Sequence, residues 1–184
     1  MANLIGVQIG TPIVWADIGG DFDDTPETGT HQLTLGSLGS ALAREGAKAD
    51  MASIATTHLA NRFAFMLRIE PEVAPVSGTT IDVYWGASPS VTAGSYNPGL
   101  LTGVDADYAG SAGDSLADTL LQLQFIGSLS LTLDTDPVIQ QGTWVTSLPM
   151  RYGIPVIVNN SGQALHATDD KMSLIAYPLE DEAQ

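Results

Sequence analysis

The chain has 184 residues, a length that suits one domain with a hydrophobic core of its own. It has no cysteine, which excludes disulfides and thiolate metal sites, and 21 acidic residues against six basic ones give a net charge of −15. So few basic residues argue against binding to nucleic acid or to an anionic membrane, and we expect neither as a partner. No apolar run of about 18 residues predicts a membrane span, and the N-terminal residues lack a signal-peptide pattern, so we expect synthesis in the cytosol.

Residues 1–30 are predicted to form an extended N-terminal arm. Ile13, Val14 and Trp15 make a short apolar tract, and glycines, a proline and acidic residues follow it up to residue 30. Such a composition buries too little apolar surface to order itself. We therefore expect an arm that is either flexible or ordered by a partner, with Ile13, Val14 and Trp15 as its partner-binding residues.

Alternating apolar and polar residues predict one β-sandwich domain over residues 31–184. The clearest pattern is the strand at 62–70, which places Phe63, Phe65, Leu67 and Ile69 on one face. At 128–133 a second clear pattern puts Leu129, Leu131 and Leu133 on one face. Further strands are predicted at 32–35, 51–57, 79–85, 138–147, 154–158 and 172–177.

The segments between these strands are predicted to be loops, apart from one short helix. Gly46 interrupts residues 41–50, which we expect to be a loop, and residues 86–114 form a long irregular one. Ser115 and Asp118 imitate a capping box, and a helix from there should end at Gly127. About eight strands and one helix predict a mainly all-β protein, an antiparallel β-sandwich of the jelly-roll type.

No residue pattern indicates catalysis or a cofactor. His31, His58 and His166 each lack a second histidine or cysteine at a metal-ligand spacing, and no serine-nucleophile or nucleotide-binding motif occurs. The acidic segments 21–24 and 105–107 offer oxygens to calcium, but solvated turn residues are the favoured interpretation. We expect a protein that is not an enzyme and that has no cofactor and no metal.

Aromatic residues gather at the end of one predicted strand and in the long loop. They are Tyr84, Trp85, Tyr96 and Tyr108. Exposed, they would stack on sugar rings or bind a neighbouring protein; buried, they would fill the core beneath the loop. We keep all four as candidate partner-binding residues.

Four segments resemble a group of tailed-bacteriophage virion structural proteins of the decoration type: 81–90, 97–105, 123–129 and 151–165. The resemblance covers roughly residues 60–184, and the first 60 residues add nothing to it. It implies a capsid decoration (cement) protein, made in the host cytoplasm and located on the capsid surface of the virion. It also implies that the protein bridges subunits of the major capsid protein and associates with itself as a homo-oligomer, for example a homotrimer.

Two other functions stay open at this point. One is a carbohydrate-binding module on the virion, which would use exposed aromatic residues such as Trp85 and Tyr96. The other is a tail or fibre-base component, which would be present in few copies per particle. Neither needs a catalytic residue.

Overall fold

The structure is a computed structural model that describes residues 5–20, 22, 27–52, 60, 62–110, 113–136, 138–168 and 171–183. Its elements in chain order are β1 (Ile5–Ile9), β2 (Ile13–Ala16), β3 (His31–Gln32), β4 (Leu42–Glu45), β5 (Ala49–Asp50), β6 (Arg62–Ile69), β7 (Thr80–Ser88), a 3-10 turn (Pro98–Leu100), β8 (Ala106–Tyr108), α1 (Leu116–Leu120), β9 (Gln124–Ser130), β10 (Gln140–Ser147), β11 (Tyr152–Asn160) and β12 (Ser173–Ala183). None of the helices in these residues has the length and apolar character needed to cross a bilayer.

The strands form two packed sheets. In the first sheet the order is β10-β6-β12-β2-β3, and β1 also pairs with β12; in the second it is β8-β4-β11-β7-β9, and β5 also pairs with β11. All pairs are antiparallel except β2 with β3. Four of the pairs are nested along the chain, the first strand of each with a progressively earlier partner: β2 with β12, β4 with β11, β6 with β10, and β7 with β9. This nesting is the jelly-roll arrangement, so the predicted antiparallel sandwich is confirmed.

The core between the sheets comes from one face of each strand. In β6 every second residue is buried, as the alternating sequence predicts. At the centre, the ring of Trp85 meets Trp15 edge-on at 5.7 Å and Phe65 at 5.5 Å. Gly153 of β11 lies against the Trp85 ring so closely that a Cβ there would come within 2.2 Å of it, so this position requires glycine.

The outer face of the second sheet is covered as well. Residues of β11 are buried on both faces because α1 and the segments beside it lie across the sheet. As predicted, Ser115 caps α1: its Oγ accepts a hydrogen bond from the Asp118 N–H at 3.2 Å. The helix ends at Leu120 and not at Gly127, since β9 already begins at Gln124.

The prediction of an arm outside the domain is wrong for residues 13–16. They form β2, which lies between β12 and β3 in the first sheet. Ile13 and Trp15 are buried in the core between the sheets, and Val14 is buried on the other face beside Ile175. The tract is therefore ordered by β12 of its own chain, and none of its three apolar side chains is free for a partner. Residues 1–4, 21 and 23–26 of the predicted arm lie outside the described residues.

Three smaller predictions also need correction. The predicted loop at 41–50 contains β4 and β5, with Gly46 between them. Of the predicted strand at 32–35 only Gln32 is in a strand, although Leu33 and Leu35 are fully buried. Because β9 ends at Ser130, Leu133 does not share the buried face and is exposed. Most of the strand predicted at 51–57, and His58, lie outside the described residues.

Candidate functional site

The surface feature that stands out is residues 89–104, which we call the display loop; with Asp105 they form the segment between β7 and β8. The display loop contains no charged residue, although the chain as a whole carries −15. Four of its apolar side chains are exposed, Tyr96 to 80%, Val91 to 70%, and Leu100 and Val104 to more than half, whereas Leu101 is buried. Several exposed apolar side chains on one short uncharged segment are typical of an interaction site.

A lysine outside the display loop holds its first half in place. Lys48 extends from the segment between β4 and β5, and its Nζ lies within hydrogen-bond distance of four oxygens: Ser88 Oγ at 3.1 Å and the carbonyls of Ser90 at 3.1 Å, Thr92 at 2.7 Å and Ser95 at 3.1 Å. Partial burial lowers the pKa of Lys48, and these oxygens replace the water that the ammonium group has lost. Three carbonyls bound to one charge fix the loop's path.

An asparagine closes the turn that carries the exposed tyrosine. Asn97 Nδ2 donates to the carbonyls of Ala93 at 2.6 Å and Leu101 at 2.7 Å. On either side of Asn97, Tyr96 and Leu100 have φ values of 55° and 59°, in the left-handed region that residues other than glycine rarely adopt. Strained backbone of this kind persists only where surrounding contacts enforce it, and it clusters at functional sites.

A buried carboxylate holds the end of the display loop. Glu45 of β4 is 1% exposed, and it accepts hydrogen bonds from the Thr102 N–H at 2.8 Å, the Thr102 hydroxyl at 2.7 Å and the Gly103 N–H at 3.2 Å. Its charge is thereby satisfied without a cation. The display loop is thus held at three places by side chains, which makes it a preorganised surface and not a mobile connection.

The acidic pair at the end of this segment serves the structure. Asp105 accepts from Arg44 Nε at 2.7 Å and Nη2 at 2.8 Å, and from the Thr34 N–H and hydroxyl at 3.1 and 2.7 Å. Burial by itself would raise the pKa of Asp105, but the hydrogen bonds from Arg44 and Thr34 outweigh it and the pKa is lowered. Asp107 is exposed and contacts Arg44 Nη1 at 2.8 Å. Both oxygens of Asp105 are occupied, so the calcium interpretation has no support here.

Beside the display loop lies an open groove of about 440 Å³. Its lining consists of Pro89, Ser90, Val91, Tyr96 and Tyr152. The guanidinium of Arg151 lies 5.2 Å from the centre of the Tyr152 ring, and Arg151 also pairs with Asp50. The groove therefore offers two aromatic rings, apolar walls and few charges.

The four aromatic candidates do not form one site. Tyr96 is the exposed one, and half-buried Tyr84 packs edge-on against Phe125 at 5.3 Å. Trp85 is in the core, and Tyr108 is buried with its hydroxyl donating to the Gly99 carbonyl at 2.8 Å. Burial, with a smaller effect of the Glu45 charge, raises the pKa of Tyr108 to about 12.

Sequence reasoning missed Lys48, Tyr152 and the exposed valines of the display loop. The uncharged stretch at 89–104 in a strongly acidic chain was a signal for the valines, but Lys48 and Tyr152 lie outside it.

A second cluster brings together Glu70, Asp136 and His166, each with one ligand atom within 4.8 Å of the others. His166 Nδ1 accepts a hydrogen bond from the Thr168 N–H at 3.1 Å and lies 3.0 Å from the Thr168 hydroxyl, so this ring nitrogen already has protein partners. Lys171 Nζ lies 3.4 Å from the buried Glu70 carboxylate and supplies positive charge there. This arrangement fits a charge-paired structural cluster better than a metal centre.

Fold and site together define an all-β jelly-roll domain with a preorganised, uncharged surface loop. Comparison of the sequence with protein-family models and with curated proteins gives no match.

Proposed function

We propose that the protein is a non-enzymatic structural protein of a bacteriophage virion. In this proposal it decorates the capsid exterior and stabilises it by bridging subunits of the major capsid protein, and it also associates with copies of itself. A protein that binds the assembled shell and not the free subunit stabilises the shell by mass action. Because the protein has a net charge of −15, nucleic acid and anionic membranes are poor partners for it.

The observation that carries the proposal is the display loop. Exposed Tyr96 and Val91 sit on backbone that Lys48, Asn97 and Glu45 already fix, so docking this loop costs little conformational entropy. Aromatic anchors surrounded by less critical contacts are the usual source of binding energy in protein interfaces. The resemblance of residues 60–184 to phage decoration proteins and the use of jelly rolls in viral capsids agree with this function, the latter by fold analogy alone.

The first test is the copy number and location of the protein on purified particles, by gel densitometry and particle imaging. Hundreds of copies on the shell would support the proposal. A few copies at one vertex would favour a tail or fibre-base component instead. Absence from particles would refute the virion assignment.

The second test assigns the surface. Tyr96→Ala and Val91→Asp should weaken binding to particles that lack the protein, by roughly tenfold or more for a central aromatic contact. Val76→Asp is the matched control for Val91→Asp, because Val76 is also exposed but lies outside the display loop. If Tyr96→Ala and Val91→Asp bind particles as tightly as Val76→Asp and the wild type, the display loop is excluded as the capsid contact.

Carbohydrate binding is the second candidate, and the groove between Tyr96 and Tyr152 favours it. Two aromatic rings beside small polar groups suit the apolar faces of sugar rings. Binding of the wild type to a glycan array, lost in Tyr96→Ala and Tyr152→Ala, would support this function. No binding to any glycan would remove it.

A further inference from the structure

The two sides of the sandwich end in very different strands. On one side lie the edges β9 of the second sheet and β10 of the first, seven and eight residues long. Opposite them the edge strands are β3 and β5 with two residues each, β8 with three and β1 with five. Short strands are one way in which proteins protect sheet edges from pairing with other chains, so only the β9/β10 side is left long.

Strand β10 also lacks charges, proline and a β-bulge, and the Gln124 side chain of β9 contacts it at its end, donating to Thr146 Oγ1 and to the Ser147 carbonyl. Like β10, β9 contains no charged residue, in a chain with a net charge of −15. The eight residues of β10 pair with β6 without a register shift, and within the described residues β6 is the one strand that pairs with β10. A long, regular and uncharged edge is a template for another strand.

The charge of the protein restricts what that strand can be. Two copies of a chain with a charge of −15 repel each other unless they meet through uncharged surface. In an antiparallel pair of two β10 strands, directly opposite residues share a face of the sheet, so the exposed Gln141, Thr143, Val145 and Ser147 of one copy meet the same uncharged set in the other. No register of this pairing brings two acidic side chains of β10 together.

We propose that β10 pairs antiparallel with β10 of a second copy about a two-fold axis, so that the first sheet runs on through both copies. The inference rests on the self-association contained in the proposed function, and it names the surface and the symmetry. An isologous contact of this kind gives a dimer or an even-numbered assembly, whereas a trimer requires a different, head-to-tail contact.

The chain contains its own reporter for this contact. Of its three tryptophans, Trp15 and Trp85 are fully buried, while Trp144 of β10 is half-buried and lies on Gly127 of β9. A second copy on the β10 edge would cover the part of Trp144 that solvent reaches. Pairing should therefore reduce acrylamide quenching of the tryptophan fluorescence.

The test compares wild type with Val145→Lys and with Thr143→Lys/Val145→Lys, without particles, by sedimentation equilibrium at low and high salt. Lysine on an edge strand opposes pairing, and both positions are exposed, so the fold should tolerate it. Val73→Lys is the matched control: Val73 is 53% exposed against 61% for Val145, but it lies in the connection between β6 and β7 and in neither edge strand. Circular dichroism and thermal unfolding verify that each variant is folded.

We expect a wild-type dimer that strengthens with salt, because salt screens the repulsion between the acidic copies. Val73→Lys should dimerise normally, and the edge variants should be monomers with stronger quenching of Trp144. A wild type that is monomeric at every concentration and salt, a trimer, or dimers that edge lysines do not affect would each overturn the inference. These outcomes are independent of particle binding by Tyr96→Ala, so failure of the β10 pairing and failure of the capsid proposal are distinguishable.

Discussion

Replacing Lys48 with methionine tests whether the display loop is held by one side chain. Methionine is similar in length to lysine, so the change removes the charge and the donors while keeping most of the apolar stem. Four oxygens lie 2.7 to 3.1 Å from Nζ, but an ammonium group has three N–H donors, so at most three of these hydrogen bonds exist at once.

The expected loss follows from those three bonds. A hydrogen bond to a charged group contributes about 1.5–3 kcal/mol net to stability. Losing three such bonds outright would therefore destabilise the protein by more than we expect here, because water replaces part of what the lysine provides. The Thr92 carbonyl is at the surface, and water can replace the lysine there and in part at the other two carbonyls. We therefore expect the free energy of unfolding to fall by about 2–3 kcal/mol, which lowers the Tm of a chain of this size by about 4–12 °C.

Two measurements check this prediction. Thermal or urea unfolding gives the stability change, and amide hydrogen exchange locates it. Residues 88–97 should exchange faster in Lys48→Met, while β6, which Lys48 does not contact, serves as the internal control. Unchanged exchange in 88–97 would refute the idea that Lys48 organises the display loop, whatever the Tm. Particle binding should fall in this variant although every residue of the display loop is intact.

Three further predictions concern titration and packing. Burial raises the pKa of Tyr108 and Tyr177 to about 12, so the stability they contribute is present below pH 10 and lost as the pH rises through about 12. Burial also raises the pKa of Tyr84, so absorbance titration at alkaline pH should show three of the five tyrosines ionising late. Asp105 has a lowered pKa, so its contribution is present above its ordinary value of 3.8 and lost as the pH falls below it; Asp105→Asn should lower stability at neutral pH and flatten its fall in acid, as urea unfolding across this range would reveal. Gly153→Ala should lower the free energy of unfolding by about 3 kcal/mol or more, because the Trp85 ring that it would meet is buried in the core and cannot move. Gly127→Ala should lower it by about 1 kcal/mol, because the equally close Trp144 ring is half-buried and can shift. Equal losses in urea unfolding would contradict this account.

Local patterns made much of the fold predictable. The alternation in β6 and the cap at Ser115 are properties of adjacent residues, and the structure places both where the sequence puts them. Six of the predicted strands correspond to β6, β7, β9, β10, β11 and β12, which was enough to indicate an antiparallel sandwich. The other two strands of the nested pairs, β2 and β4, fell in segments predicted as an arm and a loop.

What could not be predicted depends on residues far apart in the chain. Val14 and its neighbours form a strand because β12, about 160 residues later, supplies the partner, and no local signal announces it. Lys48 is likewise inconspicuous in the sequence, since its acceptors lie 40 to 47 residues away. The sequence did not distinguish the exposed Tyr96 from the buried Trp85. Their exposure differs because Trp85 lies within β7 and Tyr96 lies in the loop beyond its end, and the position of that end is not evident from the sequence.

The position of β12 has a consequence for co-translational folding. This strand is made after every other strand of the two sheets, yet it lies in the interior of the first sheet, between β6 and β2. Until residues 173–183 emerge, β6 and β2 have no strand between them, and their facing edges are open to other nascent chains. Such late, long-range closure favours slow folding, so a pause in translation before residue 173 should promote aggregation.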